Sequence, residues 1–324
     1  MNNFDIVIVG AGPSGIYSAT YAALKGMNVL VVESSDILGG QPRQLYGHKK
    51  VYDFPGHLVT TGEIIVENLL NQQKSIKNQI KYLLNTNVIK YKHLKNNLIS
   101  LKLSNKKTIK TKAIIISTGN GTLVPNLINP ELIKEKVNQK NIHYYVEHFD
   151  NYKNLNLVVL GGGDSAVEWA SQLAESQKPK NVSIIHRKPM YRANAKYVNE
   201  LKINKVNEYL DFEIESIDKK FIYIKSNTNK KISKINYDKI IVQYGLKQIK
   251  PKVDPFIKIN RLGIKYLVDK NQQTNEPNIY AIGASTYYKG RPNLMIVGIS
   301  EGVIAIKHIY DKINPYNQDY ITKD

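Results

Sequence analysis

The stretch from Phe4 to Glu33, FDIVIVGAGPSGIYSATYAALKGMNVLVVE, leaves the chain little choice of fold. An apolar run from Ile6 to Val9 enters Gly10-Ala11-Gly12-Pro13-Ser14-Gly15. A helical pattern follows, and a second apolar run, Val29 to Val32, ends at Glu33. Strand, glycine turn, helix and strand in that order predict a βαβ unit with a dinucleotide-binding fingerprint. Gly10 permits the tight turn, Gly12 lets the backbone approach a pyrophosphate, and Gly15 lets the helix pack closely on the strand. The start of the helix offers unpaired N–H groups and the positive end of its dipole to phosphates. Glu33 lies eighteen residues past the last glycine, near the spacing of a carboxylate that accepts hydrogen bonds from ribose hydroxyls.

The pattern recurs. Leu157 to Leu160 run into Gly161-Gly162-Gly163-Asp164-Ser165-Ala166, a helix follows through Val167, Trp169 and Leu173, and the strand Val182 to Ile185 ends at His186. The fingerprints begin 151 residues apart, which implies two nucleotide-binding units with one dinucleotide each. The second unit ends in His186-Arg187-Lys188, with Arg192 close behind, where the first has an acid. Positive charge there suits a 2′-phosphate that Glu33 would repel, so the first unit is expected to hold FAD and the second NADPH. The expected fold class is α/β, with two Rossmann-like, three-layer ββα domains, the second inserted into the first. Residues 1–118 and 246–324 form the flavin domain in this reading and residues 119–245 the NADPH domain. Paired crossings near 118–120 and 244–246 would let one domain rotate against the other.

Between these units the pattern gives a helix from Thr61-Gly62 to about Gln73, with Ile64, Ile65, Leu69 and Leu70 on its apolar side. Short strands occupy 86–117 and 211–243, and residues 193–207 read as helix. A strand-like stretch spans 263–268, a buried strand 278–282, and a last helix about Ser300 to Ile313.

Composition excludes several chemistries. The chain contains no cysteine, so it has no disulfide, thiolate metal site or dithiol redox centre. Its formal charge of +19 invites a nucleic-acid reading, but the lysines are spread over nearly every surface-type segment. That spread indicates a bias of the whole chain, and the expected partners are acidic proteins, not nucleic acid. No segment approaches the roughly 20 apolar residues of a membrane helix, and the first strand begins too early for a leader. The expectation is a cytoplasmic protein with no membrane partner.

The whole chain resembles the thioredoxin-reductase-like flavoproteins, and among them the bacterial ferredoxin–NADP reductases of that type. The likeness is carried by Gly39-Gly40-Gln41 with Leu45-Tyr46 and Tyr52-Asp53, and by His143-Tyr144-Tyr145-Val146. It continues through Gly161 to Ala170, His186-Arg187-Lys188 with Arg192-Ala193, and Thr286 to Arg291 with Leu294-Met295 and Gly298 to Gly302. The Cys-x-x-Cys pair of thioredoxin reductases is replaced here by residues 143–148, which contain no sulfur, so thioredoxin reduction by an internal dithiol is excluded.

The resemblance implies FAD at Gly10, Gly12, Pro13, Ser14, Gly15 and Glu33, with Gly40, Gln41 and Asp53 near the flavin and Tyr46 stacked on its ring. Thr118, Gly119, Gly283 and Ala284 complete that set. It implies NADPH over Gly161, Gly163, Asp164, Ser165 and Ala166, with His186, Arg187, Lys188 and Arg192 at the 2′-phosphate end. Relatives carry Gly-Asp where this chain has Gly283-Ala284, which removes an acceptor for the flavin's ribityl chain. Their C-terminal His and Ser cover is absent too, leaving Tyr316 or Tyr320 as substitutes. The expected function is transfer of electrons from NADPH through FAD to ferredoxin or flavodoxin, by a homodimer with no metal and no catalytic side chain. The alternatives are an NADPH oxidase or quinone-type diaphorase, and a degenerate nucleotide-binding flavoprotein without turnover.

Overall fold

The computed structural model describes residues 3–249 and 254–315. Tyr316 and Tyr320 lie outside the described residues. The chain forms two compact units, one of Met1–Thr122 with Ile249–Asp324 and one of Leu123–Gln248.

In the first unit, β1 (Asn3–Val9), α1 (Pro13–Leu24) and β2 (Val29–Val32) follow the pattern of the opening residues. β1 lies at the centre of a seven-stranded sheet, parallel to β2 on one side and to the strand Thr108–Ile116 on the other. Ile80–Leu83 and Ile279–Ala281 extend the parallel part, and Val88–His93 and Ile99–Leu103 add an antiparallel meander. Apolar residues cover both faces. Ile6, Ile8, Ile115 and Tyr280 pack on the helix side with Ile16 and Ile306, while Val7, Ile114 and Ile279 pack with Phe256 and Tyr266. Burial on two faces is why these strands read as unbroken apolar runs and not as alternation. The glycine turn leaves the carboxyl end of β1 where the chain order changes direction, the place where such sheets bind ligands.

The second unit repeats the plan. β3 (Asn156–Leu160), α2 (Asp164–Glu175) and β4 (Asn181–His186) lie in a five-stranded parallel sheet with Ile142–His143, Asn207–Leu210 and Lys239–Val242. An antiparallel meander of Phe212–Ile217, Phe221–Ser226 and Ile232–Asn236 shares a core with that sheet through Ile217, Ile222 and Ile224 against Val158 and Leu160.

Two expectations are corrected. On the helix Gly62–Asn71 the buried residues are Gly62, Ile65, Val66 and Leu69, while Ile64 is 45% exposed. Those four form an i, i+3, i+4, i+7 stripe, and Ile64 lies off it. The last helix begins at Met295, five residues before the expected Ser300. Gly298, inside that helix, is a close contact: a Cβ there would lie 2.8 Å from Gly283 Cα and collide with Ser14 Oγ.

Candidate functional site

Gly10 builds the first cradle. Its φ is +106°, and a Cβ there would collide with the Ser117 carbonyl, so β1 can turn against the end of Thr108–Ile116 only through glycine. Thr118 and Gly119 follow that contact directly. Gly12 is the N-cap of α1, with no capping side chain, Pro13 in the first turn, and nothing within 4 Å of where a Cβ would stand. The short helix Gly40–Gln44 starts against this turn: a Cβ on Gly40 would be 3.0 Å from Gly12 Cα, and Gly39 N–H bonds Ala11 O at 2.9 Å. Gln41 lies in that helix.

Glu33 closes one side. Its Oε2 accepts from Ala11 N–H at 2.7 Å, and its Oε1 from Ser35 N–H at 2.8 Å and the Ser34 hydroxyl at 3.0 Å. The acid is thus tied to the glycine turn itself, with acceptor capacity remaining on both oxygens. On the opposite side Gly283 abuts Ser14, and Gly302 of the closing helix Met295–Ile313 abuts Ser18, one turn further along α1. Ser14 with Gly298, and Ser18 with Gly302, place the two helices side by side in the same direction. Two helix N-termini therefore open at one place, both without capping side chains. Ala284 stands in the turn between them. Tyr46 and Asp53 form a neighbouring group, in which burial first and the Asp53 charge second push the Tyr46 phenol up to about 12. Tyr46 is neutral at physiological pH, an apolar plate with a polar edge.

The second cradle uses different chemistry. Gly163 caps α2 without a side-chain bond, Asp164 and Ser165 open the helix, and Ala166 is fully buried. Gly161 turns against the Gln243 carbonyl. The Arg192 N–H bonds Gly162 O at 2.7 Å, and Asp164 accepts from Asn194 N–H at 2.8 Å. These bonds fold residues 191–194 over the glycine turn and form an open depression of about 490 Å³ lined by Asp164, Tyr191, Arg192, Ala193, Asn194 and Tyr197. Arg187 and Lys188 stand exposed beyond β4. His186 packs against Gly162 and stacks on Tyr191 at 5.8 Å and 17°, and its buried Nε2 has no partner among the described residues. Burial foremost, opposed by a bond the ring donates to the Met190 backbone and reinforced by the charges of Arg187, Lys188 and Arg192, holds its pKa below the usual histidine value.

Tyr288, Arg291 and Glu301 lie in the segments Thr286 to Arg291 and Gly298 to Gly302 that carry the family likeness, but the sequence reading gave them no site role. Glu301 sits on the buried stripe of the closing helix with Gly298, Gly302 and Ala305. A carboxylate on an apolar helical stripe, with an arginine ten residues earlier, was the available signal. Among the described residues no helix is long and apolar enough to cross a membrane, and no cluster of three metal-binding side chains occurs.

Known proteins resemble the chain as a whole. The family described as pyridine nucleotide-disulphide oxidoreductase matches residues 4–302. A protein named ferredoxin–NADP reductase from Mycoplasmoides gallisepticum is 42% identical over 330 residues, covering all of both chains. One of the same name from Malacoplasma penetrans is 34% identical over 94% of this chain and 96% of its own. The crystal structure of T. acidophilum thioredoxin reductase superposes with a TM-score of 0.70 at 22% identity, over 97% of this chain and 99% of that one. Lactococcus lactis thioredoxin reductase gives 0.66 at 22% identity, over 96% and 99%. These last two share the fold.

Proposed function

We propose a function from one premise: the chain belongs to the pyridine nucleotide-disulphide oxidoreductase family. It is an oxidoreductase that binds a flavin and a nicotinamide nucleotide. Our reading is that the flavin is FAD in the first cradle, the nicotinamide nucleotide is NADPH in the second, and the electron acceptor is a ferredoxin or flavodoxin. The name carried by the full-length relative at 42% identity supports the acceptor. The absence of cysteine removes the dithiol on which thioredoxin reduction would depend.

The single observation that carries the assignment of cofactors is the contrast between the two cradles: Glu33 bonded to the first glycine turn, Arg192 to the second. The residues fit their ligands. The open space over Gly12 leaves room for a pyrophosphate, and the unpartnered Nε2 of His186 leaves a polar group for the adenosine end of NADPH. A bound flavin supplies the link between a two-electron hydride donor and a one-electron carrier. The chain's own residues bind and orient. Gly12 and Ser14 offer backbone at the phosphates, Gly283 packs beside them without a free donor, Tyr46 gives a flat surface, and Arg187, Lys188 and Arg192 neutralise a 2′-phosphate. The homodimer and the boundaries 1–118, 119–245 and 246–324 belong to the same proposal.

Anaerobic titration of the purified protein, followed by visible absorbance, tests it. Stoichiometric NADPH should bleach a flavin spectrum that NADH leaves nearly unchanged, and reduced protein should reoxidise faster with ferredoxin than with oxygen. A colourless protein that takes up no FAD, or oxygen outpacing every protein carrier, would overturn the reading. Arg187→Ala with Arg192→Ala should raise the KM for NADPH about 10- to 100-fold, the size of one or two charge-assisted hydrogen bonds, with little change for NADH.

A further inference from the structure

Beside the first cradle lies a buried ion pair. Glu301 is 1% exposed, and the side chain of Arg291 is 4% exposed. Glu301 Oε1 accepts from Arg291 Nε at 2.7 Å and from the Tyr288 hydroxyl at 3.0 Å. Its Oε2 accepts from Arg291 Nη2 at 3.2 Å and from the Gly283 N–H at 2.7 Å. The guanidinium fork thus fixes the carboxylate in orientation, and the carboxylate fixes one backbone amide of the turn Gly283–Ser285.

That turn is where the cradle's elements meet. Gly283 abuts Ser14 in the first turn of α1, and Gly298 of the closing helix abuts both. Ala284 adds no polar side chain, so a ligand at this corner is received by backbone groups. Backbone donors recognise a ligand well only when they are held in place before it arrives. A buried ion pair is a poor source of net stability, because desolvation offsets the attraction, but it can specify one geometry.

We propose that Arg291 and Glu301 are positioning residues for the flavin nucleotide, locking the Gly283–Ala284 backbone against the starts of α1 and the closing helix. The proposal rests on the flavin reading above. Replacing the pair by apolar residues of similar size keeps the core filled while releasing the Gly283 amide, so fold and positioning can be separated.

The experiment uses full-length protein stripped of flavin, with FAD as the probe. FAD affinity is read from quenching of its fluorescence and the fold from the melting temperature of the stripped protein. Glu301→Leu with Arg291→Met together should melt near the native temperature yet bind FAD about 10- to 100-fold more weakly, as expected for loss of a pre-formed charge-assisted contact. NADP+ binding should be unchanged. Arg291→Lys should retain FAD affinity within about threefold, since an ammonium can still pair with Glu301 but without the fork. Native FAD affinity in the double variant overturns the proposal. Should the double variant not fold, Arg291→Met against Arg291→Lys decides, and equal FAD affinity in the two overturns it. Native protein that binds NADP+ but no FAD would sink the flavin reading, and this inference with it, before any variant is compared.

Discussion

Gly10 and Gly12 sit two residues apart in one turn and answer to different constraints. Gly10 has a positive φ and the Ser117 carbonyl against it, so Gly10→Ala should destabilise the protein by more than about 2 kcal/mol in denaturant unfolding. Gly12 has φ −74° and empty space before it. Gly12→Ala should leave stability within about 0.5 kcal/mol of native. It should nonetheless weaken FAD binding about 10- to 100-fold, because the new methyl occupies the pyrophosphate's place. His186 makes a second residue-scale prediction. Its folded pKa lies below the 6.5 of an unfolded histidine, chiefly through burial. The unfolded chain therefore takes up a proton first as pH falls, and stability is lost below about 6.5 and keeps falling until the folded ring protonates. The melting temperature should drop less between pH 7.5 and 5.5 in His186→Gln than in native protein. Part of the drop will remain, because His308 is shifted in the same direction, mainly by burial.

At the scale of elements, the sequence was most legible where one pattern had one physical cause. Both βαβ units could be read because their strands are buried on two faces and their glycine turns have no other use. The closing helix starts earlier than expected because its first turns are held by Gly298 against Ser14 and Gly283, a contact that no periodicity shows. Ile64 was misplaced because an apolar residue beside the stripe of 62, 65, 66 and 69 looks like part of it until burial is seen. Glu301 was given no role because its meaning depends on Arg291, ten residues away in sequence and 2.7 Å away in space. The meander of the first unit offers a prediction that pattern alone could not make. Between Glu67 and Glu131 the chain has eleven lysines and no acid, and the register sets Lys90 directly opposite Lys102. Like charges facing each other across strands are destabilising, so Lys102→Glu should raise stability by about 0.5 kcal/mol, more at low salt than at high.

At the scale of the whole molecule, the formal charge of +19 favours encounter with an acidic carrier protein. Reduction of ferredoxin should slow as ionic strength rises through the range where the screening length shrinks to about 8 Å. Reduction of ferricyanide, being a small anion, supplies a control with a shallower slope; equal slopes would argue against protein docking.

Because Gly298 and Gly302 lodge against Ser14 and Ser18, α1 waits for a helix synthesised about 280 residues after it. Residues 123–248 form a compact unit of their own, so biosynthesis should complete that unit first. A nascent chain stalled after Gly290 should yield a protease-resistant fragment from that unit while the residues before it are digested. On that order of events, competence to hold flavin is acquired only once the helix Met295–Ile313 has emerged and docked.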